Sequence, residues 1–384
     1  MSSNGHVTVT GLHLASGAAW QYSVNRGLTW TDGGLTPTFL LSDGSYPVGA
    51  VQVRQMYPAG TTSTSSVGSN DAAIIIDSAA PTATITSDRS SIRSTGTATI
   101  RFTLSEASST FTAADLAVTG GTISEFSGSG AEYTAVFTPA GAGGGSVSIA
   151  AGAFTDIAGN ANAPSDLTPS ITIDDVSPTV VIAASRATLN AGQTALVTFT
   201  LSEPVSGFTA AAVTVEGGSL SGFTGSGSNY SAIFSPTANS TTAGTISIAA
   251  GVFTDAAGNG NTAGALANPI VIDTILPTIA ITSSKASLKA GETATITFLL
   301  SEALTDFGLV DVDFAGGLLS GFAGSGTTYS ALFTPYESST ALGTVSVMAG
   351  SFSNPAGNGN TAGALTSPIA IDTVLPTVAI TSSK

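Results

Sequence analysis

Cysteine is absent from the 384 residues, which excludes a disulfide framework and thiolate zinc sites. The only two histidines, His6 and His13, leave little for imidazole acid–base or metal chemistry, and surface or filling roles suit them. Positive charge is scarce: 9 Lys+Arg against 24 Asp+Glu give a net charge of −15, with charged residues at only 9%. A nucleic-acid partner needs a basic surface, so that class is excluded. No apolar run approaches the roughly 18 residues of a membrane span, so no membrane insertion is expected. The opening MSSNGHVTVT lacks the basic and apolar regions of a secretory leader. Aromatic residues make up 7% against 42% hydrophobic, much of it alanine, so the cores are expected to be small. The length allows about three or four domains at roughly 100–150 residues each.

What the chain has in place of these is repetition. An Asp–x–x–x–Pro–Thr signature recurs at Asp77/Pro81, Asp174/Pro178, Asp273/Pro277 and Asp372/Pro376. Leu-Ser-Glu recurs at 104–106, 201–203 and 300–302, and Tyr–x–x–x–Phe at Tyr133/Phe137, Tyr230/Phe234 and Tyr329/Phe333. The stretch FTDIAGNAN at 154–162 returns as FTDAAGNGN at 253–261 and FSNPAGNGN at 352–360. Tandem duplication is the only adequate reading. The expected domains are a divergent unit at 1–77 and repeats at 78–174, 175–273 and 274–372. Residues 373–384, ending TVAITSSK, copy TIAITSSK at 278–285 and read as the first strand of a truncated further repeat.

Alternating runs rich in Thr, Val, Ile and Phe, separated by Gly, Ser, Asn and Pro, predict an all-β chain. In the third repeat the pattern predicts strands at 278–283, 293–301, 310–315, 318–323, 327–334, 343–353 and 368–372. Seven strands in about 100 residues is the count of an immunoglobulin-like antiparallel β-sandwich. The Gly pairs 120–121, 217–218 and 316–317 are expected in turns, Pro277 at a strand start, and 61–70 in a flexible loop. Short Pro-containing linkers predict a tandem array extended as a rod, with Val176, Ile275 and Leu276 docked at the interfaces.

That topology makes a chemical prediction. The turn after the second strand and the loop before the last share a pole with the linker from the preceding unit. The expected clusters are Asp77, Glu106, Asp115, Asp156 and Asn160; Asp174, Asp175, Glu203, Asp255 and Asn259; and Asp273, Glu302, Asp311 and Asn358. Several carboxylates at one pole repel unless neutralised. Oxygen ligands without His or Cys select a hard cation, and many flexible oxygens select calcium. The copies differ, with Ala212 at the place of Asp115 and Asp311, and Asn354 at the place of Asp156 and Asp255. Solvated acids and Asx turns are the bland alternative.

Other constellations are weaker. Paired acids serve glycosidases, but a catalytic site is seldom copied in every repeat, so no enzyme is expected. Trp20 and Trp30 flank a turn at 25–27 and suit core packing better than a sugar platform. The GSG and GAGGG runs follow strands and open no helix, so they are not phosphate loops.

The LPTVAITSSK, LKAGETATITF, LSE and FTDAAGN motifs, in order over 78–384, resemble the bacterial Ig-like tandem repeats of large type I-secreted, RTX or biofilm-associated surface adhesins. Residues 1–77, with WQYSVNRGLTWTDG at 20–33, resemble a second repeat type of the same proteins. There Tyr57-Pro58-Ala59-Gly60 replaces the usual loop motif. The resemblance implies a secreted protein on the bacterial cell surface whose repeats are calcium-stiffened extenders in adhesion and biofilm formation. Its partners would be the neighbouring repeats and, through other parts of the parent protein, a host or abiotic surface, a glycan or another cell. The alternative is a glycan- or protein-binding module, with residues 1–77 as the binder.

Overall fold

A computed structural model describes residues 2–10, 12, 18–57 and 66–381. His13, Pro58–Gly60, residues 61–65 of the expected loop and the last three residues lie outside the described part. The chain forms two compact units, 1–176 with 256–259, and 177–255 with 260–384.

Each repeat is an antiparallel sandwich, as the alternation predicts. In the third, one sheet has the order Ile279–Ser283, Ala294–Leu300, Thr328–Pro335, Gly317–Ser325. The facing strands are Val312–Ala315, Thr344–Val347 and Gly363–Ala364, while Ser287–Lys289 pairs in parallel with Ala370–Asp372. Ala294–Leu300 alternates buried and outward residues along its length, the pattern of a strand with one face on a core. Pro277 precedes the first strand, and its carbonyl accepts the Thr361 N–H at 2.8 Å. Only the first glycine of each pair bends the chain, Gly120, Gly217 and Gly316 at positive φ, while Gly121, Gly218 and Gly317 open strands; a Cβ at Gly316 would also meet the Leu342 carbonyl oxygen at 2.4 Å.

Few aromatics suffice because they are gathered. Phe298, Phe307, Phe322, Tyr329 and Phe352 form one edge-and-stack cluster, repeated as Phe102, Phe111, Phe126, Tyr133 and Phe154. The tyrosine hydroxyls are satisfied: Tyr133 donates to Ser108 O and Tyr329 to Leu304 O, each at 2.9 Å.

Residues before Asp77 have their own small core of Trp20, Phe39, Leu41, Val51 and Ile76. Trp20 donates its indole N–H to Gly34 O, and Trp30 carries the Arg54 guanidinium 4.1 Å above its ring. His6 lies in the strand His6–Thr8.

Several expectations need correction. The strand placed at 343–353 ends at Val347, because Gly350 turns the chain with φ 77°. Val67–Ser69, placed in a loop, is a strand paired with Gln52–Met56. The linker residues Val176 and Ile275 are 68% and 44% exposed and do not dock; only Leu276 is half-buried. The linker is held instead by Thr274, whose Oγ1 donates to Thr237 O at 2.7 Å and accepts the Ser240 N–H at 2.9 Å.

Candidate metal centre

Three segments of the first unit meet at one cluster. Asp77 directly follows the strand Ile74–Ile76, whose last residue is buried, and its Oδ1 accepts the Ala79 N–H at 3.1 Å. Glu106 lies in Ala98–Ser108 where the ladder with Gly121–Pro139 breaks after Thr103 and resumes at Ser108. Such an irregularity re-aims a side chain that strict alternation would place elsewhere. Asp156 follows Phe154, which is anchored in the aromatic core. Between them the chain turns tightly: Asp156 N–H donates to Asn160 O and Gly159 N–H to Asp156 O. Asn162 staples this loop from inside, accepting the Phe154 N–H at 2.9 Å and donating to Ala150 O and Ala163 O.

The result is three carboxylates, from Asp77, Glu106 and Asp156, with oxygens all within 4.8 Å of one another. Among the described residues the ion pairs are Arg101–Glu132 and Lys285–Glu292, and neither reaches this cluster. Burial, and then the charges of Asp77 and Asp156, push the Glu106 carboxyl above its ordinary value. For Asp156 burial alone would do the same. Hydrogen bonds from the Asn160 side chain and from the Asn160, Gly159 and Ala158 N–H groups outweigh it and hold this carboxyl low.

The donor set fits a hard divalent cation. It offers only oxygens, and two oxygens on one calcium ion at about 2.4 Å each lie at most ~4.8 Å apart. Burial raises Glu106 most, and the negative charge of Asp77 and Asp156 that adds to it is what an ion would offset.

The remaining expected ligands separate into other roles. Asn160 turns its amide nitrogen to the acids, donating to Asp156 Oδ2 at 2.8 Å and Asp77 O at 2.7 Å, so it ties loop to linker by hydrogen bonds. Asp115 is outside the cluster; its Oδ2 accepts the Thr112 N–H at 2.7 Å and the Thr112 hydroxyl at 3.0 Å, closing a 3-10 turn. Asp311 does the same for the Gly308 N–H at 2.7 Å. A short acid after Thr or Gly in a tight turn is a capping residue, and this local use competes with ligation. Asp175 is exposed; the Ser94 N–H donates to it at 2.8 Å and holds its carboxyl low.

In the second unit, Glu203 and Asp255 keep carboxylate oxygens within 4.8 Å of each other. Asn259 donates to Asp174 O at 2.9 Å, and both belong to the first unit. In the third repeat Glu302 is half-buried in the bend after Ala294–Leu300. Asn358 donates to Asp273 O at 2.9 Å, and Asn354, in the aspartate's place, donates to Asp273 Oδ2 at 3.3 Å.

Sequence reading placed Asn360 in its loop but passed over the equivalent staples Asn162 and Asn261; all three are 3% exposed. Their signal was present: the second Asn of each AGNxN stretch recurs with the first.

A family model described as bacterial Ig-like domain matches residues 77–173, 174–272 and 273–371. No curated protein matches the chain. Among solved structures, the Escherichia coli adhesin FdeC is similar at TM-score 0.29 and 14% identity, over 76% of this chain and 96% of that one. Invasin, a bacterial integrin-binding protein, is similar at TM-score 0.27 and 12% identity, over 92% and 75%. The I9–I11 tandem of titin is similar at TM-score 0.29 and 7% identity, over 75% and 98%.

Proposed function

This chain belongs to the bacterial Ig-like domain family, and on that footing we propose that it is an extender segment of a secreted bacterial surface adhesin, stiffened by calcium. The observation that carries the reading is the Asp77–Glu106–Asp156 cluster. Its members come from the linker, a strand end and a loop, so one ion holds together three segments that the backbone alone does not join. Binding to the folded state only, the ion also stabilises the fold by linkage. Near-copies of one sandwich suit a spacer better than a recognition domain. Among the described residues no helix is long and apolar enough to cross a membrane. Display at the cell surface in support of adhesion and biofilm formation completes the proposal. The domain divisions follow the repeat, 1–77, 78–174, 175–273 and 274–372; the strand expected after 372 is not formed over residues 373–381.

The test is a calcium titration of the whole chain by calorimetry, alongside Glu106→Gln, with thermal melts in calcium and in chelator. Saturable binding and a raised melting temperature, both diminished in the variant, support the reading. A flat titration with unchanged melts refutes it and leaves the acids as surface charge.

A further inference from the structure

We infer that Asn354 is a built-in replacement for the ion, so that the linker ahead of the third repeat is clamped to its loop by an amide. The inference takes its contrast from the proposed cation role of Asp77, Glu106 and Asp156, but its hydrogen bonds stand apart from that reading.

Asn354 is 5% exposed, and its amide is engaged at both ends. Oδ1 accepts the Asn358 N–H at 2.9 Å. Nδ2 lies 3.3 Å from Asp273 Oδ2 and 3.3 Å from Ile275 O, both on the linker. The orientation of the amide is fixed by this network. The backbone N–H of Asn358 requires an acceptor, so the oxygen faces the loop and the nitrogen faces the carboxylate. Asn358 adds a second tie to the linker through Asp273 O. The same loop is fastened to the preceding repeat, because Asn358 Oδ1 accepts the Ala191 N–H at 2.7 Å and Asn190 Nδ2 donates to Ala356 O at 3.1 Å.

In the first repeat Asp156 accepts the Asn160 N–H at the same 2.9 Å, so the loop side is unchanged. Its other oxygen has no proton to offer; it accepts the Asn160 amide N–H at 2.8 Å, and the carboxylate as a whole stands with Asp77 and Glu106. Exchanging that oxygen for NH2 replaces repulsion between two acceptors with a donor–acceptor pair and removes one negative charge. An ion and an amide donor thus fill the same role, bridging a linker carboxylate to the loop. The amide needs no ion, so the clamp at Asn354 is permanent, and the cluster at Asp156 is the one that responds to calcium.

The experiment is hydrogen–deuterium exchange on the whole chain in calcium and in chelator, for wild type, Asn354→Ala and Asn354→Asp. In wild type, peptides spanning 273–277 and 354–358 are expected to exchange at the same rate in both conditions. Asn354→Ala speeds their exchange several-fold, and calcium does not restore it. Asn354→Asp speeds it in chelator, and calcium does restore it. Calcium protection of these peptides in wild type, or unaltered exchange in Asn354→Ala, overturns the inference. If calcium protects no wild-type peptide near Asp77 or Asp156, the proposed function fails, while the Asn354→Ala arm still decides the amide clamp.

Discussion

The loops at 154–162 and 352–360 share a backbone and differ in charge. Asp156 N–H reaches Asn160 O at 3.1 Å and Asn354 N–H reaches Asn358 O at 3.0 Å. The inner staple is the same, with Asn162 accepting from Phe154 at 2.9 Å and Asn360 from Phe352 at 3.0 Å. Buried Phe154 and Phe352 hang both loops on equivalent aromatic clusters. Against this constant frame one side chain decides whether the linker carboxylate faces a third acid or an amide. The scaffold therefore tolerates a change of electrostatic mechanism without a change of fold, because the backbone N–H of Asn160 and of Asn358 each donates to the acceptor oxygen that Asp and Asn have in common.

The largest expected effects test the frame. Phe102→Ala and Phe298→Ala each leave a cavity and should cost about 3–5 kcal/mol in denaturant melts. Calcium at a hundredfold excess over its dissociation constant should return about 2.7 kcal/mol to the first variant. Equal rescue of both would break the comparison.

Next in size, Asp156→Asn should weaken calcium binding at least tenfold, or about 1.4 kcal/mol, in calorimetry. It converts the first loop to the chemistry of the third. Unchanged affinity would show that Asp156 is not a ligand.

Tyr133→Phe and Tyr329→Phe should each cost about 1 kcal/mol, since a buried hydrogen bond to a carbonyl is lost in both units. A large difference between them would mean that the two frames are less alike than their loops.

Asp115→Ala and Asp311→Ala should cost about 0.5–1 kcal/mol as lost caps and leave the calcium isotherm alone. A weakened isotherm in Asp115→Ala would return that residue to the ligand set.

The pH dependence is the subtlest. Glu106 is raised above 4.5 in the folded chain, so its protonated form is favoured there. In chelator its contribution to stability is full below 4.5 and fades as pH rises through the folded value. Asp156 is lowered, so its contribution is present above 3.8 and is lost as pH falls through the folded value. Protons and calcium compete for Glu106, so affinity should weaken on acidification. Urea melts of wild type and Glu106→Gln in chelator across about pH 4–7 check the first of these; a variant with the wild-type slope would remove Glu106 from the account.

Much of this was legible in the residues. Period-2 alternation around Ala294–Leu300 announced the strand, and the recurrence of Asp, Leu-Ser-Glu and AGN announced a pole where Asp77, Glu106 and Asp156 meet. The reach of Asp115 and Asp311 was not legible. Whether a loop acid turns outward to a ligand or inward to its own backbone depends on a 3-10 turn that the alternation pattern does not register. The strand at Val67–Ser69 was missed because VGS has no apolar alternation of its own and is held by pairing with Gln52–Met56.

Sequence by itself determined the sandwich, the repeat and the charge of each loop, because these follow from alternation, duplication and residue type. Only the tertiary structure decided which acids share a site, since that depends on where segments about 80 residues apart return to one pole. It also decided what Asn354 does: the same amide is a solvated loop residue or a clamp according to whether Asp273 stands within hydrogen-bond reach.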